Sequence, residues 1–296
     1  MDGEKGDPPM KSNSIQSANT ARTCVIFAAI AAVALMLAFA IPAKAHAATY
    51  KASSYSSQDY YTVKVAGAQF VAEGTRTSYD GYNTTTCEIT MEKDGRIRTL
   101  ATGAAGYFIT NGKYLYYAKR GAAVGDEGSM ARLWDHRKHT IYRLNINTGA
   151  KKKIASGVNV VPHGAKGNYL YYGKTSSAAS DAGSLYALNL KTGKKRSLKG
   201  ATFVGLCGTR VITRIHSNAG GAPLYTYKAN GTGRKLIAKY AVSAKVKGSK
   251  VIYVEKPKYE YRKMQCSATG KNKKALTGWQ SSMLTLQVSR PEGFAA

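Results

Sequence analysis

Two stretches decide the fold: Ile-Tyr-Arg-Leu-Asn-Ile-Asn-Thr-Gly from Ile141 to Gly149, and Leu-Tyr-Ala-Leu-Asn-Leu-Lys-Thr-Gly from Leu185 to Gly193. Looser copies run from Leu224 to Gly233, from Arg262 to Gly270 and from Cys87 to Gly95. Each copy alternates apolar and polar residues, enters a turn, and is followed by lysines or arginines. That is the third strand of a hairpin handing over to a fourth. The closing glycines, Gly95, Gly149, Gly193, Gly233 and Gly270, stand 54, 44, 40 and 37 residues apart. A unit returning about every 40 residues signals a propeller, solenoid or array. The uneven spacing favours propeller blades with variable loops.

From Tyr60 onward the chain is rich in Val, Ile, Thr and Tyr, broken by Gly, Asn and Asp. No stretch sustains a helical period, so the class is all-β. The clearest unit spans residues 158–200, with strands expected at Val158–Pro162, Asn168–Lys174, Ser184–Lys191 and Lys195–Lys199. Four short-linked antiparallel strands make one propeller blade. The same order is read in residues 60–103, 104–157, 201–239 and 240–278, with a spare strand at Ser282–Val288. The expectation is a β-propeller of four-stranded antiparallel blades, five readable, or six with one incomplete.

The second strands carry Gly-x-Tyr-Leu-Tyr-Tyr, at Gly112–Tyr117 and again at Gly167–Tyr172. Followed by Leu-Tyr-x-Leu-Asn-Leu-x-Thr-Gly and a basic residue, this pattern resembles bacterial extracellular six-bladed propellers of the TolB-like kind. It is closest to the group likened to the low-density-lipoprotein-receptor propeller. The likeness covers roughly residues 60–278 and is strongest in 104–200. It implies a binding platform and brings no catalytic set with it. The chain departs from the group in having five clear units.

The start of the chain is read as a targeting segment. Val25–Ile41 is an unbroken apolar run preceded by Lys11 and Arg22, and Pro42 follows it. Ala43-Lys44-Ala45 and Ala45-His46-Ala47 both fit a signal-peptidase site, which favours a cleaved signal over residues 1–47 against a retained N-terminal anchor. Residues 48–59 then read as a Ser-rich linker. An exported, extracellular or cell-surface domain is the expectation.

Removing 1–47 takes away Lys5, Lys11, Arg22 and Lys44 with Asp2, Glu4 and Asp7, leaving 40 basic against 13 acidic residues, a net charge of +27. Such a field attracts polyanions from a distance and keeps a β-rich chain soluble. Three cysteines remain, Cys87, Cys207 and Cys266. Their spacing matches no metal motif, and they allow either one disulfide or buried thiols.

Two sets of residues are candidates for function. Lys151, Lys152 and Lys153, then Lys194, Lys195 and Arg196, then Arg234 and Lys235, then Lys273 and Lys274 all follow a third-strand turn. They therefore open the outer strand of successive blades and would string positive charge around the rim, where many weak contacts to an anionic polymer add up. Lysine on an outer strand also guards the sheet edge. The second set lies in the Arg120–Thr140 insertion, where Trp134, His136, Arg137 and His139 form a candidate partner-binding loop. No catalytic residue, metal or cofactor is assigned. The acidic residues are scattered, with no glycosidase-like pair and no nucleophile elbow. The tyrosines are read as inter-blade packing ahead of a stacking platform.

The leading expectation is a non-enzymatic binding or scaffold propeller held to an anionic cell-wall polymer or an envelope protein. A membrane enters only through an uncleaved N-terminal segment. A propeller enzyme acting on envelope polysaccharide or peptide ranks second. An extracellular nucleic-acid binder, combining the cations with tyrosine stacking, ranks third.

Overall fold

The structure is a computed structural model that describes residues 49–57, 60–79, 82–125, 136–177, 180–198, 201–215 and 221–282. The stretch expected to be a targeting segment, Trp134 and the part of the expected spare strand beyond Ser282 lie outside the described residues. Among the described residues twenty strands run in order: β1 Lys51–Ala52, β2 Ser54–Ser57, β3 Tyr60–Val65, β4 Ala68–Tyr79, β5 Tyr82–Lys93 and β6 Arg96–Thr110, then β7 Tyr114–Lys119, β8 Lys138–Asn145 and β9 Lys151–Val158. They continue with β10 Val161–Lys166, β11 Tyr169–Ser177, β12 Ser180–Asn189, β13 Lys195–Leu198, β14 Ala201–Cys207 and β15 Arg210–Ile215. The last are β16 Ala222–Lys228, β17 Lys235–Lys247, β18 Lys250–Glu255, β19 Arg262–Ser267 and β20 Lys274–Ala275. Among the described residues there is no helix.

Every pairing is antiparallel between neighbours along the chain, apart from β1 on β6. The strands group into five four-stranded meanders. The third is self-contained, β10-β11-β12-β13. Elsewhere the outer strand of one blade runs on as the inner strand of the next. β6 pairs with β5 up to Ala104 and with β7 from there to Thr110. β17 likewise serves β16 with its first half and β18 with its second.

The repeated turn has a physical reason. The Asn145 side-chain oxygen accepts the Asn147 and Thr148 amides at 3.1 and 3.4 Å, and Asn189 does the same for Lys191 and Thr192 at 2.9 and 3.1 Å. Thr148 and Thr192 then accept the amides of Ala150 and Lys194, both at 3.3 Å. Gly149 and Gly193 close the turn, each at a φ of 71°, where a side chain would be strained. Asn-x-x-Thr-Gly is therefore a turn that supplies its own hydrogen bonds.

The second strands of the second, third and fourth blades are buried on both faces, because each of these blades is packed between two others. Leu115 and Tyr117 of β7 join the cluster built with the first blade around Phe70 and Ile89. Tyr116 and Ala118, on the opposite face, join Val160, Leu170 and Tyr172 of the third blade. One blade on, Tyr171 packs with Leu185 and Val211, and Ile212 of β15 packs with Val251 and Tyr253. Period two thus sends alternate residues to successive blade interfaces. Tyr116 stands opposite Arg143 and Tyr171 opposite Ala187, two pairs in from the equivalent Asn145 and Asn189. Tyr117 stacks on Tyr142 at 6.0 Å and Tyr172 on Tyr186 at 5.2 Å, so the two copies superpose in register.

Expected strand bounds differ from the structure in places: the second and third strands of the third blade are Tyr169–Ser177 and Ser180–Asn189, not Asn168–Lys174 and Ser184–Lys191. The inner strand of the third blade is Val161–Lys166, not Val158–Pro162: Val158 still belongs to β9, and Asn159 directly after it is in a left-handed conformation, φ 45°. The Asn159 side chain accepts the Arg137 amide at 2.9 Å and fixes that corner. The Ser-rich stretch 48–59 is not a free linker either. Lys51–Ala52 pairs with Thr110 and Ile109, and Ser54–Ser57 pairs with β3. Ser53 is buried between them, exchanging hydrogen bonds with Phe108 through its amide and its hydroxyl. This segment therefore pairs with the inner strands of two blades.

Cys87, Cys207 and Cys266 are buried thiols, with Cys207 and Cys266 in one cluster. Burial pushes the thiol of Cys207 up and that of Cys266 up to about 11. The thiolate is the reactive form, so both are inert at neutral pH. A thiol reagent applied to the folded chain should leave peptides containing these three residues unmodified and should modify all three after denaturation. Rapid native-state labelling of Cys207 or Cys266 would contradict the burial.

Candidate polyanion-binding surface

In a four-stranded meander the turns after the first and third strands lie at one end of the blade. The link after the second strand lies at the other end, with the passage to the next blade. The registers place them so. In the second blade Thr110 pairs with Leu115, Tyr114 with Asn145 and Leu144 with Lys151, all at one end. Hydrogen bonds between blades bring these ends together. Arg98 donates to the Ile146 carbonyl, Lys166 to that of Gly208, Tyr171 to that of Ala229 and Thr226 to that of Ala268. The propeller therefore has a turn end, built from ten short turns, and a loop end carrying the 120–137 insertion and the link 256–261.

All the predicted outer-strand cations stand at the turn end. Lys151, Lys152 and Lys153 open β9, Lys195 and Arg196 open β13, Lys235 opens β17 and Lys274 opens β20, with Lys194, Arg234 and Lys273 in the turns before them. All ten are exposed. They keep the places expected of them, and β9 and β13 are the last strands of their sheets. Arg234 lies 5.0 Å over the Tyr225 ring and Lys195 5.1 Å over that of Tyr186. The third-strand tyrosines at this end thus carry the protein's own cations on their faces.

A second set was not singled out in the sequence. Every turn between a first and a second strand also carries a cation: Lys64, Lys113, Lys166, Arg210, and the pair Lys247 and Lys250. The signal was present as a lone Lys or Arg beside each hairpin glycine, Gly67, Gly112, Gly167, Gly208 and Gly248. Single lysines beside glycines attract no notice until the topology places the five turns at one end. Among the described residues only Glu92 and Asp94 bring carboxylates to these turns. They line an open cleft of about 440 Å³ together with Lys51, Lys64 and Lys93, between the turns Ala66-Gly67 and Asp94-Gly95. Exposed carboxylates flanked by ammonium groups form a surface charge arrangement, with no nucleophile beside them.

The insertion contributes less. His136 is buried at 1% exposure, and the strand-like hydrogen bonds of Val124 to His136 and of Lys138 to Ala122 fold the loop base against itself. Arg137 and His139 are half-buried. Trp134 is outside the described residues. Among the described residues no group of three His, Cys, Asp or Glu is close enough to hold a metal. Glu255 is ion-paired with Arg262 at 2.7 Å, and Glu88 accepts the Thr99 hydroxyl at 2.6 Å.

No protein-family model and no curated protein matches the sequence. Solved structures similar to it are TolB and peptidase β-propeller structures. One prolyl endopeptidase structure aligns with a TM-score of 0.52 at 11% identity, over 79% of this chain and 37% of that one. The β-propeller domain of the Trilobed protease from Pyrococcus furiosus gives 0.49 at 10% identity, over 75% of this chain and 72% of that one. TolB from Acinetobacter baumannii gives 0.40 at 11% identity, over 70% and 51%. The chain thus spans about half of that TolB and little more than a third of the endopeptidase. At such identities the likeness is one of fold alone: this chain is a β-propeller.

Proposed function

We propose that the chain is an exported, non-enzymatic binding or scaffold propeller, held at the cell surface by charge on an anionic polymer or envelope protein. Within the propellers we place it with the extracellular TolB-like group likened to the low-density-lipoprotein-receptor propeller, on its Gly-x-Tyr-Leu-Tyr-Tyr strands. One observation carries the reading. Exposed cations recur at the start of outer strands, blade after blade, with almost no carboxylate beside them. Edge protection alone seldom needs three consecutive cations. A multivalent array of this kind gains by effective concentration what each contact lacks.

The test is retention on purified cell envelopes. Replacing Lys151, Lys152, Lys153, Lys194, Lys195 and Arg196 together by Gln should reduce retention. High salt should reduce it as well, because each neutralised anionic charge releases counterions. Each exposed substitution should change stability by less than about 0.5 kcal/mol, so the fold survives. Retention indifferent both to salt and to these six residues would leave the charge a matter of solubility.

A further inference from the structure

The charged turns lie at one end, and the chain enters the propeller at that same end. Lys51 is paired with Thr110, the last residue of β6 before its turn, and its ammonium donates to the Lys64 carbonyl at 3.1 Å. The apolar run of 17 residues, Val25–Ile41, ends nine residues before Lys51. Nine residues span roughly 30 Å at full extension. A run retained in a membrane would tether the propeller through the chain that enters at its turn end.

The shape of the charge also selects its partner. A single-stranded nucleic acid is tracked by a groove with free aromatic faces for stacking. Here the cations are spread over ten turns, none longer than a few residues, and the long 120–137 loop is at the other end. Tyr114 lies under Arg143 at 5.1 Å and Tyr186 under Lys195 at 5.1 Å, so rings at this end already hold cations. Cations on short turns at one end match a plane of negative charge. An anionic bilayer surface presents that plane, and its field falls off within a Debye length, so only the end that faces it gains.

We infer that the turn end docks face-on to an anionic phospholipid bilayer, through the exposed Lys64, Lys113, Lys247 and Lys250 together with the outer-strand cations. The inference rests on the charge-attachment reading above, and puts a lipid surface in place of its polymer or envelope protein.

Lysine acetylation by a water-soluble reagent tests it on the full chain. Vesicles of equal parts phosphatidylcholine and phosphatidylglycerol are compared with phosphatidylcholine alone. At low salt the mixed vesicles should slow acetylation several-fold at Lys64, Lys113, Lys247 and Lys250, and leave Lys119, Lys138 and Lys258 at the loop end unchanged. High salt should erase the difference. Combining Lys64→Gln, Lys113→Gln, Lys247→Gln and Lys250→Gln should remove the slowing at Lys151 and Lys195; the wild-type pattern decides the matter should that variant not fold. Slowing that is equal at both ends, or confined to the loop end, overturns the inference. So does slowing by soluble linear polyphosphate with none by the mixed vesicles, which would identify a polymer site. Should envelope retention persist while vesicles have no effect, the lipid inference alone fails; loss of both removes the charge reading with it.

Discussion

Tyr171→Ala should destabilise the propeller by about 3–5 kcal/mol, the range for truncating a fully buried aromatic ring. Tyr171 has no exposed surface and lies on the second strand of the third blade, facing the fourth. Its ring stacks 6.0 Å from that of Phe203, and its hydroxyl donates to the Ala229 carbonyl at 2.7 Å, so ring and hydroxyl both join the two blades. Burial holds the phenol well above its usual ionisation range, and it remains a donor throughout the physiological range. Tyr171→Phe separates the two contributions. It keeps the ring and loses one hydrogen bond to a half-exposed carbonyl, about 1 kcal/mol. Tyr259→Ala is the reference: that side chain is 87% exposed, and its loss should stay within about 0.5 kcal/mol. Denaturant unfolding of the three variants measures the differences. A loss below about 1 kcal/mol for Tyr171→Ala would show that the third and fourth blades do not depend on this contact.

The blade order was legible because the turn chemistry is local. Asn145 and Asn189 cap their own turns, so the motif that announces the turn also builds it. Tyr116 and Tyr171 could be aligned for a similar reason, since period-two burial against two neighbours leaves a run of large apolar residues on the second strand. What the sequence hid was non-local. Nothing in Ser-Ser-Tyr-Ser-Ser announces a strand, because Ser54–Ser57 is held by pairing with β3 and not by its own preferences. The inner strand of the third blade was misplaced by a corner that depends on Asn159 and Arg137, which are 22 residues apart. Lys64, Lys113 and Lys166 were overlooked as site residues because each is unremarkable by itself. Their meaning comes from a topology that sends every such turn to one end.

His163 shows the same limit, and it carries the second large effect. In the sequence it is a lone histidine beside a strand. In the fold it is buried on the inner strand of the third blade, stacked 5.8 Å from Phe203 at 12° and 6.4 Å from Tyr107. Gly173 lets it sit there, since a Cβ at that position would be 2.5 Å from Nε2. Burial pulls its pKa from 6.5 down to about 4. The folded state therefore keeps the imidazole neutral where the unfolded chain would protonate it. Its contribution is complete above about pH 6.5 and is lost progressively as the pH falls from 6.5 to 4, amounting to about 3 kcal/mol over that window. His163→Phe removes the titration while keeping a ring against Phe203. Any packing penalty from the larger ring shifts stability equally at every pH, and repulsion among the many cations acts on both proteins alike. Relative to its own value at pH 7, the variant should therefore retain about 2–3 kcal/mol more stability than the wild type at pH 4.5. Denaturant midpoints measured across the window check this. Parallel pH profiles for the two proteins would mean that His163 takes up its proton without leaving the fold, and that acid sensitivity originates elsewhere in the propeller.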